Sequence, residues 1–351
     1  MGNSNSKAEK IKNFDPNGVG LKNGHFIGLP FEEQDAQIVL LPVPWDVTVS
    51  YGAGTATGPA NILEASPQLD LYDPDVPEAW KMGLFMRQPD ESWLHRSQEL
   101  RPGAARYIEQ LEEGLPVDEA TLTHINKACT ELKAWVKAET TALLEQGKAV
   151  GIVGGEHSVP LGFLEALSER HPGFGVLQID AHMDLRAAYE GFTYSHASIF
   201  YNALRLEGLA QLTQVGIRDY CEAEAKLADQ DSRCTVFFNH DLNRRAFEGT
   251  SWATLCRKIT DTLPEKVYIS FDIDGLLPEL CPHTGTPVPG GLTFDQAIYL
   301  LQTVVESGHT IIGFDLCETA GHPHEWDANV GARVLYKLAN LMGKSQGLQT
   351  G

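Results

Sequence analysis

The sequence predicts an α/β fold: three layers, α/β/α, around a mostly parallel central sheet. Three observations predict it. Short apolar runs suited to strands alternate with segments of helical period along most of the chain. Those runs are continuous rather than alternating, as expected of strands covered by helices on both faces. Several of them finish in Asp, His or Glu, at the carboxyl edge where a parallel sheet gathers its chemistry.

Taken in order, residues 1–13 are polar and read as a weakly ordered tail. Residues 14–31, rich in Gly, Asn and Pro, read as an irregular arm, so 1–32 precede one predicted domain over 33–345. The first strand falls at 37–42, an unbroken apolar run. A loop over 45–57 leads to Gly58-Pro59, which opens a helix to Ala65 because proline suits a first turn. The stretch 73–117 mixes charges, Pro and Gly without a period and reads as an insertion or long loop. Over 118–146, Leu122, Ile125, Cys129, Leu132 and Val136 recur at helical spacing. Strands are then expected over 149–153, 175–179, 212–217, 236–239, 266–271 and 310–315. Helices are expected over 160–167, 197–206, 222–228, 252–263, 294–306 and 329–342. No internal repeat or interior low-complexity linker interrupts the pattern.

Composition narrows the function. With 351 residues, 42% hydrophobic and 21% charged, the chain is long enough for a sizeable core and ordinary for a soluble protein. A formal net charge of −20 repels phosphate-rich partners, so neither nucleic acid nor an anionic membrane is expected, while a small cationic substrate is compatible. No stretch approaches the roughly 20 apolar residues of a membrane helix and no secretory leader is visible, so a cytoplasmic location is expected. Cys129, Cys221, Cys234, Cys256, Cys281 and Cys317 are scattered without a C-x-x-C pair. That pattern points to reduced thiols rather than a zinc cluster or disulfide framework.

Three predicted strand ends carry metal-ligand residue types: Val153-Gly154-Gly155-Glu156-His157-Ser158, Asp180-Ala181-His182-Met183-Asp184 and Ser270-Phe271-Asp272-Ile273-Asp274-Gly275. In an extended backbone Asp180, His182 and Asp184 would point to one side, as would Asp272 and Asp274. Together with His157 this brings four carboxylates and two imidazoles to one sheet edge. Carboxylates so crowded would have to protonate unless divalent cations compensate them. The mixed nitrogen and oxygen donors suit Mn²⁺, Ni²⁺ or Zn²⁺ better than Ca²⁺. Six ligands exceed the need of one ion with an open position; a carboxylate-bridged pair roughly 3.5 Å apart, acidifying a water between them, accounts for all of them.

These three segments resemble the signature segments of the ureohydrolases, the arginase and agmatinase family. The similarity continues through Thr284-Gly285-Thr286-Pro287-Val288-Pro289-Gly290-Gly291 and Asp315-Leu316-Cys317-Glu318, and covers roughly 37–342. The resemblance implies that His157, Asp180, Asp184 and Asp272 hold one metal and that Asp180, His182, Asp272 and Asp274 hold the other, so Asp180 and Asp272 bridge. It also implies that Glu318 faces the substrate's guanidinium and that His196 is the proton shuttle. In that mechanism Asp184 accepts a proton from the nucleophile and His196 protonates the leaving nitrogen. The products are urea, or a urea-like compound, and an amine or ammonia. A trimer or hexamer, with or without a paralogous subunit, is implied by the same resemblance.

Substrate choice is read from finer segments. Tyr189-Glu190-Gly191-Phe192-Thr193-Tyr194-Ser195-His196-Ala197-Ser198, Leu280-Cys281-Pro282-His283-Thr284-Gly285, Glu325-Trp326-Asp327-Ala328-Asn329-Val330-Gly331-Ala332-Arg333 and the arm Asp15-Pro16-Asn17-Gly18-Val19-Gly20 are similar to the guanidine hydrolase branch. That branch implies free guanidine, a small alkylated relative or a metformin-like biguanide as substrate, and nickel, with manganese as the alternative. Phe192, Tyr194 and Trp326 are candidates to close a small pocket. Leu277 stands where the family usually has Asp, and Ala197 where many members have Gly. The alternative substrate is agmatine, cleaved to putrescine and urea. A reading of another class is a non-catalytic partner subunit, against which the complete ligand set counts.

Overall fold

The computed structural model describes residues 6–322 and 326–350. Among them, the strands are β1 (Ile38–Val43), β2 (Leu84–Met86), β3 (Ala149–Gly154), β4 (Phe174–Ile179), β5 (Leu209–Ile217), β6 (Cys234–Phe238), β7 (Lys266–Asp272) and β8 (Thr310–Cys317). They form one eight-stranded sheet in the order β2-β1-β3-β8-β7-β4-β5-β6, with every pairing parallel. The expected three-layer α/β/α fold with a parallel sheet is therefore what the chain adopts.

The helices are α1 (Lys7–Asn13), α2 (Gly58–Ala65), α3 (Glu91–Glu112), α4 (Glu119–Glu145), α5 (Leu161–Arg170), α6 (Ile199–Ala203), α7 (Glu222–Gln230), α8 (Asn239–Phe247), α9 (Trp252–Thr260), α10 (Phe294–Glu306) and α11 (Trp326–Ser345). Strand side chains alternate between two cores. Ile38 and Leu40 of β1 join one core with α9, α10 and α11, while Val39, Leu41 and Val43 join the other with α3, α4 and α5. Both sheet faces are thus dry, which is why the central strands read as unbroken apolar runs.

Three segments differ from expectation, one of them helix α8 (Asn239–Phe247), where no element was expected. Within 73–117 lie β2 and the 22-residue helix α3. Its buried stripe is Trp93, Ser97, Leu100, Ala104, Tyr107 and Ile108; Ser97 and Ala104 are too small to register as an apolar period, and Pro102 sits inside the helix. In the expected tail, Lys7–Asn13 is helical, begun by a reciprocal cap between Ser6 and Glu9 and tied down by Lys7 Nζ, which donates to the Met82 carbonyl at 2.7 Å, and by Lys10 on Asp35 at 2.6 Å. The four central strands β3-β8-β7-β4 are neighbours in space but distant in sequence. Their carboxyl ends bring together loops no local pattern connects.

Candidate metal centre

Each ligand-type residue lies at or just past one of those four strand ends. His157 follows β3 on a turn that leaves no room for a side chain at Gly155, where a Cβ would come within 2.0 Å of the Trp45 carbonyl oxygen. Asp180 follows β4 directly. Asp184 adopts a left-handed backbone (φ 53°), and Asp272 ends β7 and opens a 3-10 turn by accepting the Asp274 N–H at 2.9 Å. The extended geometry expected of Asp180, His182 and Asp184 is not what aligns them. The chain bends there, because Asp180 Oδ1 accepts the His182 N–H at 2.6 Å and Asp184 turns left-handed.

The bend divides the ligand types into two adjoining clusters. His157 Nδ1 lies 3.0 Å from Asp180 Oδ2, 3.1 Å from Asp184 Oδ2 and 3.3 Å from Asp272 Oδ2. His182 Nδ1 lies 3.1 Å from Asp274 Oδ2 and 3.5 Å from Asp180 Oδ1. Donor atoms of His157, Asp180 and Asp272, and of Asp180, His182 and Asp274, fall within 4.8 Å of one another, so the two groups share Asp180. All six predicted ligands are brought together; His182 is the most exposed of them, with 23% of its side chain accessible.

Several of these residues are held on their other face. His157 Nε2 is 2.9 Å from Ser270 Oγ, which donates to Asp315 Oδ2 at 2.7 Å; this fixes which ring nitrogen faces the carboxylates. Gln178 Nε2 donates to Asp180 Oδ2 at 2.8 Å. Arg218 donates to the carbonyls of Asp274 (2.6 Å), Leu276 (3.1 Å) and Val288 (3.0 Å), clamping the loop after β7. Sequence reasoning missed these supports. Their signal was a polar residue inside an apolar run, as at Gln178 and Ser270.

Charge compensation decides what the clusters can hold. Burial opposes a charged His157, yet Asp180, Asp184 and Asp272 hold its pKa well above the ordinary value. Burial and the neighbouring Asp180 push Asp184 up to about 7, and burial with Asp274 and Asp180 pushes Asp272 well above the carboxylate range. Protons alone would have to neutralise this group. Divalent cations do so without protonating the ligands, and the buried His157 Nδ1, aligned as a hydrogen bond with none of its carboxylate neighbours, is presented as a donor to one. The residues fit a two-cation centre.

Glu318 and His196 flank it. Glu318 follows β8 with a left-handed backbone (φ 62°), and its Oε1 accepts the His157 N–H at 2.8 Å. Burial holds its pKa well above the usual range. His196 belongs to a turn whose Ala197 carbonyl accepts the Arg186 N–H at 3.0 Å. Its Nε2 is 3.3 Å from Ser50 Oγ, and its N–H donates to Thr48 Oγ1 at 3.2 Å. Burial and the nearby His182 lower it to about 3, so the free imidazole is neutral. Thr48 is itself pinned by Glu156, which is fully buried and accepts its N–H and hydroxyl at 2.7 Å each.

Two of the three candidate pocket aromatics pack on helices. Phe192 is core, 5.6 Å from the Tyr107 ring, and Tyr194 lies under Lys133 Nζ at 4.6 Å. Their rings meet side chains of α3 and α4. Trp326 is 52% exposed, and Glu325 of the same segment lies outside the described residues.

The arginase family model matches residues 36–340. The chain belongs to the arginase family. Among its relatives, the N(1)-aminopropylagmatine ureohydrolase of Thermus thermophilus is 32% identical over 91% of this chain and 94% of that protein. The agmatinase of Cronobacter sakazakii is 30% identical over 84% of each. The agmatine ureohydrolase of Thermoplasma volcanium, a solved structure, shares the fold with a TM-score of 0.67 at 21% identity, covering 97% of this chain and 99% of that one. The arginase-family member described here is a ureohydrolase, hydrolysing a C–N bond of a guanidino compound, and its family depends on a pair of divalent metal ions. Among the described residues no helix is long and apolar enough to cross a membrane.

Proposed function

We propose that this ureohydrolase acts on an agmatine-type substrate, a guanidino group carried on an alkylamine, releasing urea and the amine. The observation that carries the reading is the pair of ligand clusters sharing Asp180 with Glu318 beside them, in a chain 32% identical to an aminopropylagmatine ureohydrolase. His157, Asp180, Asp184 and Asp272 would hold one cation, and Asp180, His182, Asp272 and Asp274 the other. Two divalent cations supply, when bound, the Lewis acidity that makes water nucleophilic near neutral pH.

The chain's own residues do the rest. Glu318, hard to ionise while buried alone, becomes a favourable carboxylate once a planar guanidinium supplies the opposite charge, and charge-assisted hydrogen bonds then orient the cation. Asp184 receives the nucleophile's proton on its carboxylate. As the new C–O bond forms and the C–N bond breaks, Asp184 gives that proton up again, and the neutral His196 relays it to the leaving nitrogen through the imidazole edge near Ser50, so both groups return to their starting states. A neutral resting imidazole suits that role, because it does not repel an incoming cation.

A second reading is free guanidine, a small alkylguanidine or a biguanide as substrate. Leu277 and Ala197 favour it: each lies beside the metal-ligand segments in the sequence, at a position where the family's usual residue is different, and neither removes a ligand. We take nickel as the metal, manganese as the alternative, residues 33–345 as one domain, the cytoplasm as the location, and a trimer or hexamer as the assembly. A paralogous subunit is not required by a chain whose ligand set is complete.

The deciding experiment incubates the pure, Ni²⁺- or Mn²⁺-loaded protein with agmatine, aminopropylagmatine, arginine, guanidine, dimethylguanidine and metformin, and measures urea or the urea-like product. The expected result is the highest kcat/KM on an alkylamine-bearing guanidine. Faster turnover of guanidine or metformin transfers the assignment to the second reading. Turnover only after mixing with a partner chain would overturn both.

A further inference from the structure

At the opposite edge of the sheet from the metal centre, beneath the amino ends of β3, β7 and β8, lies a cavity of about 400 Å³. Lys148, Arg170, His171 and Lys266 line it together with Ser345 and Gln346, and no Asp or Glu is among its lining residues. On a chain whose formal net charge is −20, such a concentration of unopposed positive charge is not what the average surface offers.

Two of the cations, Arg170 and Lys266, are not committed to carboxylates. Among the described residues neither Arg170 nor Lys266 makes an ion pair, and Lys266 Nζ instead donates to His171 Nδ1 at 3.2 Å. Lys148 caps the carbonyls of Glu33 (2.9 Å) and Ala36 (2.6 Å), which fixes its charge in place, and that charge acts in part on the Glu33 carboxylate. Burial, then Lys266 and Arg170, lower the His171 pKa, as a locally positive potential requires. The carboxyl ends of α4, α5 and α11 lie nearby and carry only about half a unit of negative charge each, together short of three full cations.

We propose that this cavity binds a multivalent oxyanion of the phosphate class, inorganic phosphate or the phosphate of a small ester. A planar guanidinium at Arg170 can grip two oxygens at once, Lys266 supplies a point charge, and the Lys148 ammonium adds long-range attraction. None of this depends on which guanidine the enzyme cleaves. The three strands that floor the cavity also carry His157, Asp272 and Glu318 at their far ends, so an occupant would brace the strands that present the metal centre.

The test titrates metal-loaded protein with inorganic phosphate and, separately, a sugar phosphate, at ionic strength held constant with sodium chloride, reading melting temperature and binding heat. The wild-type chain should show a saturable rise in melting temperature with phosphate that chloride does not reproduce. The double variant Arg170→Ala/Lys266→Ala should keep its melting temperature without phosphate and its basal ureohydrolase activity. It should also lose at least tenfold in apparent affinity. A stronger response to the sugar phosphate identifies the ester as the ligand, and an equal one identifies the free anion. No saturable response in the wild type, or an undiminished one in the folded double variant, overturns the proposal; the latter would place the anion at the metal centre instead.

Discussion

Asp184 and Glu318 both hold left-handed backbones, at φ 53° and 62°, a conformation that costs a residue with a side chain on the order of 1 kcal/mol. In each the strain aims a carboxylate at the ligand clusters. The candidate ligand residues could be picked out of the sequence because their residue types cluster locally: a D-x-H-x-D and a D-x-D beyond apolar runs. The left-handed turns and the Ser270–Asp315 support were not, since they depend on neighbours from other strands. Truncating a ligand leaves its cluster mates without a shared cation. His157→Ala or Asp272→Ala should therefore drop bound metal, measured by elemental analysis, to less than half of the wild-type content and abolish turnover. Glu318→Gln is the complementary case. The amide oxygen can still accept the His157 N–H, so metal content should be unchanged while kcat/KM falls at least 100-fold with loss of the charged contact to the guanidinium. Retained turnover in that variant would remove Glu318 from the substrate-facing role.

At the scale of elements, the helix hidden from the sequence pattern turns out to serve the site. Ser97 and Arg101 of α3 reach the loop over 45–57: Ser97 Oγ donates to Asp46 Oδ1 at 3.1 Å, and Arg101 Nη1 donates to the carbonyls of Val47 (3.1 Å) and Val49 (2.7 Å). That loop carries Thr48 and Ser50, both of which touch His196. The long apolar strands were legible because burial on both faces leaves no alternative pattern. In α3 a stripe built partly from Ser97 and Ala104 was not legible, because its burial comes from shape rather than apolarity. Arg101→Ala should loosen the loop without touching a ligand, lowering kcat about tenfold at unchanged metal content; a variant with wild-type kcat would show that α3 is scaffold only. A second element-level tie joins three segments. Arg87, just after β2, donates to Glu33 Oε1 (2.8 Å) and Oε2 (2.7 Å) and to Glu139 Oε2 on α4 (2.7 Å). The Arg87 hydrogen bonds, against burial, hold Glu33 below its ordinary 4.5. A carboxylate depressed in the folded state stabilises fully above its unfolded pKa and loses that contribution as pH falls through the folded one. Urea denaturation between pH 6 and 3 should show Arg87→Ala costing about 1 kcal/mol at the upper limit and progressively less below pH 4.5. A cost independent of pH would mean that packing, not charge, is what Arg87 contributes.

For the molecule as a whole, the acidic balance and the sheet edge impose the same demand. A net charge of −20 already opposes compaction, and four carboxylates concentrated at the ends of β4 and β7 add local repulsion that folding must overcome. The family's cations relieve that repulsion in the folded chain and find no comparable site in the unfolded one. They therefore stabilise by mass action, about 2.7 kcal/mol per site at a concentration 100 times the dissociation constant. Stripping the metal with a chelator should lower the melting temperature by on the order of 5 °C, and adding back Ni²⁺ or Mn²⁺ should restore it. Because metal ligands must be deprotonated to bind, and Asp184 and Asp272 are pushed upward without a cation, the restoration should need more metal at pH 6 than at pH 8. Circular dichroism melts of stripped and reloaded protein measure both effects. The variant His157→Ala separates the contributions: its melting temperature should respond less to added metal than the wild-type chain's. If the stripped and reloaded wild-type proteins melt together, the clusters do not couple metal binding to folding, and the carboxylates must be neutralised by protons instead.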